Sequence, residues 1–174
     1  IEFVLRHGPG RCGLLQPFVA LPRAVRACGR CLCVGLGRSR IRLGACALQD
    51  LGPALKECGI GAPHFVVSSP TVWGLWGDAF HTTLPEAAPI IVPDGERHKT
   101  TAGAGRIYDG LLKGGADRSA TVITLGGGVI GDMGGFAAAT YMRGIRLAHV
   151  PTTLLAQVDA AIGGKVGVNL PGGK

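Results

Sequence analysis

The residues with chemistry to offer begin at a glycine-rich turn. Gly126-Gly127-Gly128-Val129-Ile130-Gly131-Asp132 follows the apolar run Ala120-Thr121-Val122-Ile123-Thr124-Leu125 and precedes a small-residue segment that continues through Ala139. Gly126, Gly128 and Gly131 satisfy G-x-G-x-x-G between a strand-like and a helix-like stretch, the context in which that spacing holds a dinucleotide pyrophosphate. Glycine lets backbone N–H groups approach a ligand closely, and a helix N-terminus favours negative charge. The acidic residue that usually holds the ribose, about 20 positions further on, is missing; His149, Val150 and Pro151 occupy that neighbourhood. Tight packing of a helix on a sheet calls for glycines too, so the motif by itself leaves both readings open.

A second set of residues offers what the first lacks. Asp94-Gly95-Glu96-Arg97-His98-Lys99 runs directly out of the strand-like Pro89-Ile90-Ile91-Val92, and the carboxyl end of a parallel strand is where open α/β sheets bind ligands. Glu96 or Asp94 can accept from sugar hydroxyls; alternatively, the acids cap the helix expected from Lys99 through Leu112. Thr152 and Thr153 follow the strand-like residues 145–150 and can cap the next helix or reach a cofactor at the same sheet edge. In that helix Leu154, Leu155, Val158 and Ile162 fall on one side. Asp159 is therefore expected to turn partly toward the core, where a carboxylate needs a partner. The available cations are Arg143, Lys165 and Lys174. Both lysines follow glycine pairs, Gly163-Gly164 and Gly172-Gly173, where the backbone can approach a small anion, although solvated surface lysines fit that spacing equally.

Alternating strands and helices must position these groups. Leu48, Leu51 and Leu55 recur at helical spacing before Cys58-Gly59-Ile60-Gly61, where glycine can stop a helix. Phe65-Val66-Val67 predicts a buried strand ending at Ser68-Ser69-Pro70, and a helix through Trp73 and Trp76, whose spacing predicts core packing. The pattern predicts an α/β fold with a Rossmann-like parallel sheet and flanking helices.

The chain has 174 residues, 47% of them hydrophobic, and a net charge of +7, which suits a single domain with a sizeable core. No run reaches the roughly 18 apolar residues of a membrane span, so a soluble protein is expected. The charge excess lies at the front: residues 1–40 hold seven arginines, no lysine and one acid, Glu2, whereas the rest is nearly balanced. That front also holds Cys12, Cys28, Cys31 and Cys33 without a second ligand pair, aromatic interleaving or a sustained hydrophobic period, which argues against a zinc or nucleic-acid module and against an element that packs on the sheet. Cys46 and Cys58 sit in apolar surroundings and read as buried thiols in a reducing compartment. The chain starts on Ile1 and stops on Gly172-Gly173-Lys174, and is expected to be a piece of a longer protein.

DGERHK at 94–99, GGGVIGD at 126–132, GFAAATYMRGI at 135–145 and VPTTLLAQVDAAIGGKVGVNLPGGK at 150–174 together resemble the 3-dehydroquinate synthase family. The resemblance covers roughly residues 41–174 and leaves 1–38 unmatched. It implies an NAD-binding α/β domain over 39–174, truncated at its C-terminal end, with residues 1–38 outside the fold. The helical domain that follows in the family is absent here; in the family it supplies a glutamate and two histidines that bind a catalytic zinc or cobalt. None of His7, His64, His81, His98 or His149 matches a family ligand, so no metal site is assigned and this chain alone is expected to be inactive.

By position, the resemblance gives the adenosine side of NAD to Asp94, Gly95, Glu96, Arg97, His98 and Lys99, with Glu96 on the ribose. Gly128, Val129, Ile130, Gly131 and Asp132 take the pyrophosphate and nicotinamide half, completed by Thr152, Thr153, Lys165 and Lys174. Asp159, Lys165, Arg143 and Lys174 match catalytic, substrate-binding residues. The implied substrate is a seven-carbon keto acid phosphate, 3-deoxy-D-arabino-heptulosonate 7-phosphate, converted to 3-dehydroquinate and phosphate in the shikimate pathway of aromatic amino acid biosynthesis. In the family NAD+ oxidises a ring hydroxyl, the ketone acidifies the neighbouring C–H so that phosphate leaves, and NADH returns the hydride. A cytoplasmic homodimer without nucleic-acid or membrane partners is implied for the complete protein. Other sugar phosphate cyclases and an NAD-dependent polyol dehydrogenase of similar fold are the alternatives. The departures are Gly134 where alanine is usual and Val166 where threonine is usual.

Overall fold

Runs such as Phe65–Val67 and the pair Val122-Ile123 have apolar side chains at successive positions, a pattern that only a sheet covered on both faces can bury. The computed structural model describes the backbone of residues 2–6, 24–28, 31–36, 39–44 and 47–173, with side chains from residue 40 onward. Four strands come first: β1 (Glu2–Arg6), β2 (Ala24–Cys28), β3 (Cys31–Leu36) and β4 (Ser39–Leu43). Then follow α1 (Leu51–Glu57), β5 (His64–Ser68), α2 (Pro70–Thr83), β6 (Ala88–Ile91), α3 (Thr101–Lys113), β7 (Thr121–Gly126), α4 (Gly128–Thr140) and β8 (Arg146–Pro151). The chain is helical again over 154–163, with a wide π-type turn at Ala156–Ala160 and a last turn, α5, at Ala161–Gly163.

These strands form one sheet in the order β2-β3-β4-β1-β8-β7-β5-β6. Strands β8, β7, β5 and β6 are parallel, as the sequence pattern predicts. Strand β1 pairs antiparallel with β8 and with β4, and β3 and β2 extend that edge. Here the structure differs from the absence of a packing element expected in 1–38. Antiparallel edge strands are held by backbone hydrogen bonds and need no long hydrophobic period.

Alternation along the parallel strands splits the core into two layers. Phe65, Val67, Val122 and Leu147 pack with Ile107 and Leu111 of α3 and with Ile130 and Met133 of α4. On the opposite face Val66, Ile123, Leu125, Ala148 and Val150 pack with Leu51 and Leu55 of α1 and Phe80 of α2. Truncating a fully buried aromatic such as Phe80 to alanine removes about 3–5 kcal/mol. Trp73 joins this second layer, whereas Trp76 lies at the surface. Cys58 is half-buried against the same layer, and Cys46 falls outside the described residues. Helices α2 and α3 start at side-chain caps: the Val72 N–H donates to Ser69 Oγ at 3.4 Å and the Gly103 N–H to Thr100 Oγ1 at 3.2 Å, each meeting an otherwise orphaned donor. The cap of α3 is thus Thr100 rather than the acid cluster before it.

The glycine at 134 has a packing reason. A Cβ there would lie 2.4 Å from the Thr124 methyl, and Thr124 is held by a 2.8 Å hydrogen bond between its hydroxyl and Nδ1 of buried His149. Gly134→Ala should lower stability by about 1–3 kcal/mol, the cost of overpacking, although alanine is the better helix former. Adding Thr124→Ser, which removes the methyl and keeps the hydroxyl, should restore most of the loss in urea denaturation. An unchanged or raised midpoint for Gly134→Ala alone would refute this packing.

Candidate functional site

Strands β5 and β7 are neighbours, yet the chain leaves β5 toward β6 on one side and β7 toward β8 on the other. Reversal of this kind opens a crevice at the carboxyl ends of the two strands, where α/β sheets take their ligands. The turns that follow β5, β6, β7 and β8 all emerge at this edge, and they carry most of the residues singled out above.

At the end of β7, Gly127 precedes the first turn of α4 in extended conformation. A Cβ at Gly126 would come within 2.7 Å of Ile130 Cβ, so glycine lets α4 start this close to the strand. A Cβ at Gly128 would meet nothing within 4 Å. The backbone there is open to a ligand at the positive end of a 13-residue helix. The β8 turn closes over it: the Thr152 N–H donates to the Gly126 carbonyl at 3.0 Å, and the Thr153 methyl stands 3.4 Å from the place of a Gly127 Cβ. Thr153 Oγ1 also accepts from the Ala156 N–H at 3.2 Å, so this threonine caps the last helix while facing the glycine turn.

The turn after β6 divides its acids between two tasks. Asp94 turns to the start of α2, where Thr71 Oγ1 donates to it at 2.6 Å; hydrogen bonds from Ser69 and then Thr71 hold its carboxyl below the usual aspartate range. Arg97 Nε donates to His98 Nε2 at 3.0 Å. The Lys99 ammonium pairs with the Asp132 carboxylate, with only 12% and 18% of the two side chains exposed, and lies 3.9 Å from Glu96 Oε1. Glu96 accepts from Asn169 Nδ2 at 2.9 Å. The Asn169 N–H donates to the Lys99 carbonyl at 2.7 Å and the Gly167 N–H to the Asp132 carbonyl at 3.3 Å. Asp132 Oδ1 and Asn169 Oδ1 are buried without a hydrogen-bond partner among the described residues. Acceptors left in this state suit a ligand that brings hydroxyl or amide donors.

Other residues are placed differently from the sequence expectation. Asp159 does not face the core: its side chain is 52% exposed and accepts from Lys165 Nζ at 3.0 Å. Leu154, Leu155 and Val158 are exposed as well, and Ala156 and Ala161 face inward instead. Within the π-type turn at Ala156–Ala160 the extra residue takes Val158 and Asp159 off the face that a 3.6-residue period predicts; Leu154 and Leu155 precede that turn. Arg143 lies at the far end of α4 in left-handed backbone, separated from the glycine turn by the length of that helix, roughly 20 Å. Asp159 and Lys165 pair with each other, and no ion pair among the described residues joins Arg143 to either. Lys174 lies outside the described residues. Asn169, Ser69 and Thr71 escaped the sequence reading; only the position of Asn169 in the glycine-rich stretch after Lys165 hinted at it. Among the described residues, no group of three or more His, Cys, Asp or Glu could hold a metal ion.

Residues 89–174 match the family described as 3-dehydroquinate synthase N-terminal. Over these residues the chain belongs to the 3-dehydroquinate synthase family. The 3-dehydroquinate synthase of Pelotomaculum thermopropionicum is 48% identical over 147 residues, which make up 81% of this chain and 40% of the relative. The chain therefore spans about two fifths of the length of that curated relative. Among solved structures, 2-deoxy-scyllo-inosose synthase in complex with carbaglucose-6-phosphate, NAD+ and Co2+ superposes with a TM-score of 0.64 at 28% identity, covering 74% of this chain and 36% of that one. The 2-epi-5-epi-valiolone synthase of Streptomyces hygroscopicus subsp. jinggangensis, with NAD+ and Zn2+ bound, gives 0.61 at 32% identity, covering 68% and 34%. The 3-dehydroquinate synthase fold and the parallel sheet described above agree.

The Asp94 anchor makes a prediction about pH. Its carboxyl is held below the ordinary aspartate value, so the stabilisation it gives to the turn is complete above that value and is lost as pH falls through the lower, folded one. In a carbon-detected NMR titration Asp94 should have a midpoint below that of an unperturbed aspartate, and Thr71→Val should move it upward. Identical midpoints in the two proteins would show that the threonine does not hold this group.

Proposed function

We propose that the chain is the nucleotide-binding part of a 3-dehydroquinate synthase. The complete protein would convert 3-deoxy-D-arabino-heptulosonate 7-phosphate to 3-dehydroquinate and phosphate in aromatic amino acid biosynthesis. The observation that carries the reading is the joining of Glu96, Lys99, Asp132 and Asn169 beside the open glycine turn, at the switch point of a sheet that belongs to this family. The 48% identity to a 3-dehydroquinate synthase favours this substrate over those of the solved cyclases, which are 28% and 32% identical.

NAD fits the residues present. The open backbone at Gly128 and the N-terminus of α4 suit its pyrophosphate, Glu96 its ribose, and the orphaned Asp132 Oδ1 a further donor. Asp94 and Gly95 fix the turn that carries Glu96, Arg97, His98 and Lys99, while Val129, Ile130 and Gly131 set the course of α4 behind the pyrophosphate. Thr152 and Thr153 line the opposite wall. Bound there, NAD+ supplies a hydride acceptor that later gives the hydride back. Lys165 and Lys174 would take the anionic groups of the substrate. Asp159, released from Lys165 when those groups arrive, would orient the substrate hydroxyl. Arg143, just past the end of α4, would bind a further anionic group of the substrate in the complete protein. The zinc or cobalt of the complete protein is assigned to ligands beyond residue 174, and the described residues form no set that fits it. A cytoplasmic homodimer belongs to the same proposal; among the described residues no helix is long and apolar enough to cross a membrane.

Calorimetric titration with NAD+ tests the cofactor site. Glu96→Ala should weaken binding by about 1.5–3 kcal/mol, the range for a hydrogen bond to a charged group. Equal affinity of wild type and Glu96→Ala would overturn the assignment of Glu96. In the complete protein Asp159→Asn should reduce kcat on the order of 100-fold, as for a positioned proton-transfer group, and leave NAD+ affinity near wild type. Normal turnover per folded molecule together with a lower Tm would remove Asp159 from the chemistry. The 174-residue chain itself should release no phosphate from the substrate; release abolished by a chelator would place the metal ligands within it.

A further inference from the structure

Resting on the reading of this site as an NAD site, we infer that Asn169 is a positioning residue for Glu96, fixing the carboxylate in the orientation that receives the ribose. The segment that follows the last helix lies across the site and is pinned at several points. Val166 fills the groove over Gly135, its Cγ1 2.3 Å from where a Cβ would be. The Gly167 N–H donates to the Asp132 carbonyl at 3.3 Å and the Asn169 N–H to the Lys99 carbonyl at 2.7 Å, and Asn169 pairs with Thr100 as in a parallel sheet. Its backbone is therefore set from two sides before its side chain is considered.

From this fixed point Nδ2 donates to Glu96 Oε1 at 2.9 Å. The reversed amide would press Oδ1 against a carboxylate oxygen, so the contact selects the donor face. Glu96 needs such a partner. Its side chain is 56% exposed on a short turn, and a long unpaired carboxylate loses rotamer freedom when a ligand captures it. Lys99 Nζ, 3.9 Å away, attracts the same oxygen without giving it a direction. Asn169 supplies the direction and orders Glu96 before the nucleotide arrives, as a supporting residue does in a preorganised site. Asn169 Oδ1, buried and without a hydrogen-bond partner among the described residues, adds an acceptor to the same pocket.

The test uses the full chain and two readouts. Without nucleotide, the side-chain amide signals of Asn169 in 15N-resolved NMR should move in Glu96→Ala; signals that stay in place would overturn the contact. With NAD+, Asn169→Ala should weaken binding about tenfold, the effect of one hydrogen bond to a charged group, and should add little in the Glu96→Ala background, as expected of residues that act as a unit. Asn169→Asp keeps the shape and the backbone pins but turns a carboxylate toward Glu96, so its loss should exceed that of Asn169→Ala. Wild-type affinity in either variant, or losses that add fully to that of Glu96→Ala, would overturn the inference. A wild-type chain that takes up no NAD+ would overturn the reading of the site and with it the role of Asn169 toward the cofactor. The amide signals would still report whether the Glu96 contact forms, so the two failures read differently.

Discussion

The Lys99–Asp132 ion pair joins two parts of the chain that the sheet alone would leave independent. Lys99 ends the turn after β6 and Asp132 sits in the second turn of α4, and both side chains are largely shielded from water. Withdrawing two charges from solvent is costly, and the cost is offset only when the pair is close and further hydrogen bonds complete it. Leaving either partner alone would cost about 3–5 kcal/mol. The pair therefore fixes the distance between the acid-bearing turn and the glycine turn, and the segment over 165–169 is built onto both of its backbones. Without it, Glu96 and the open N-terminus of α4 would be neighbours only by chance.

Such a site needs a scaffold that does not yield, and the doubly covered sheet supplies one. Four parallel strands with helices packed on each face leave the strand ends little freedom. The turns that grow from them carry the polar groups in a crevice set by strand order rather than by loop sequence. The solved 2-deoxy-scyllo-inosose and 2-epi-5-epi-valiolone synthases share the scaffold, as expected if the sheet sets the crevice and the particular chemistry depends on what is built around it.

Much of this was legible in the sequence because it depends on local patterns. Runs buried on both faces marked the parallel strands, and the glycine spacing between strand and helix marked the turn of α4. What escaped depends on relations that local pattern does not encode. The contact between Glu96 and Asn169 spans 73 positions, and no spacing rule reaches that far. The cap of α3 fell to Thr100, next to the acids that seemed suited to it by composition. Asp159 was turned outward by a wide helical turn that hydrophobic periodicity, which assumes 3.6 residues per turn, misplaces. The strands within 1–36 rest on backbone pairing with partners distant in sequence, so the arginine-rich front gave no sign of them.

The fit of the Thr124 methyl over Gly134 constrains the order in which this core can change. A chain with alanine at 134 and no methyl opposite can reach the present pair by two single steps. Gaining threonine first passes through a crowded intermediate, whereas losing the alanine methyl first passes through one with a small void. Crowding strains rotamers and backbone, while a void of one methyl is the milder defect. The accessible route therefore runs through glycine. Once threonine has taken the space and its hydroxyl has found His149, the way back is obstructed: restoring alanine alone recreates the collision. Two neutral-looking positions in the interior thus act as a ratchet on divergence.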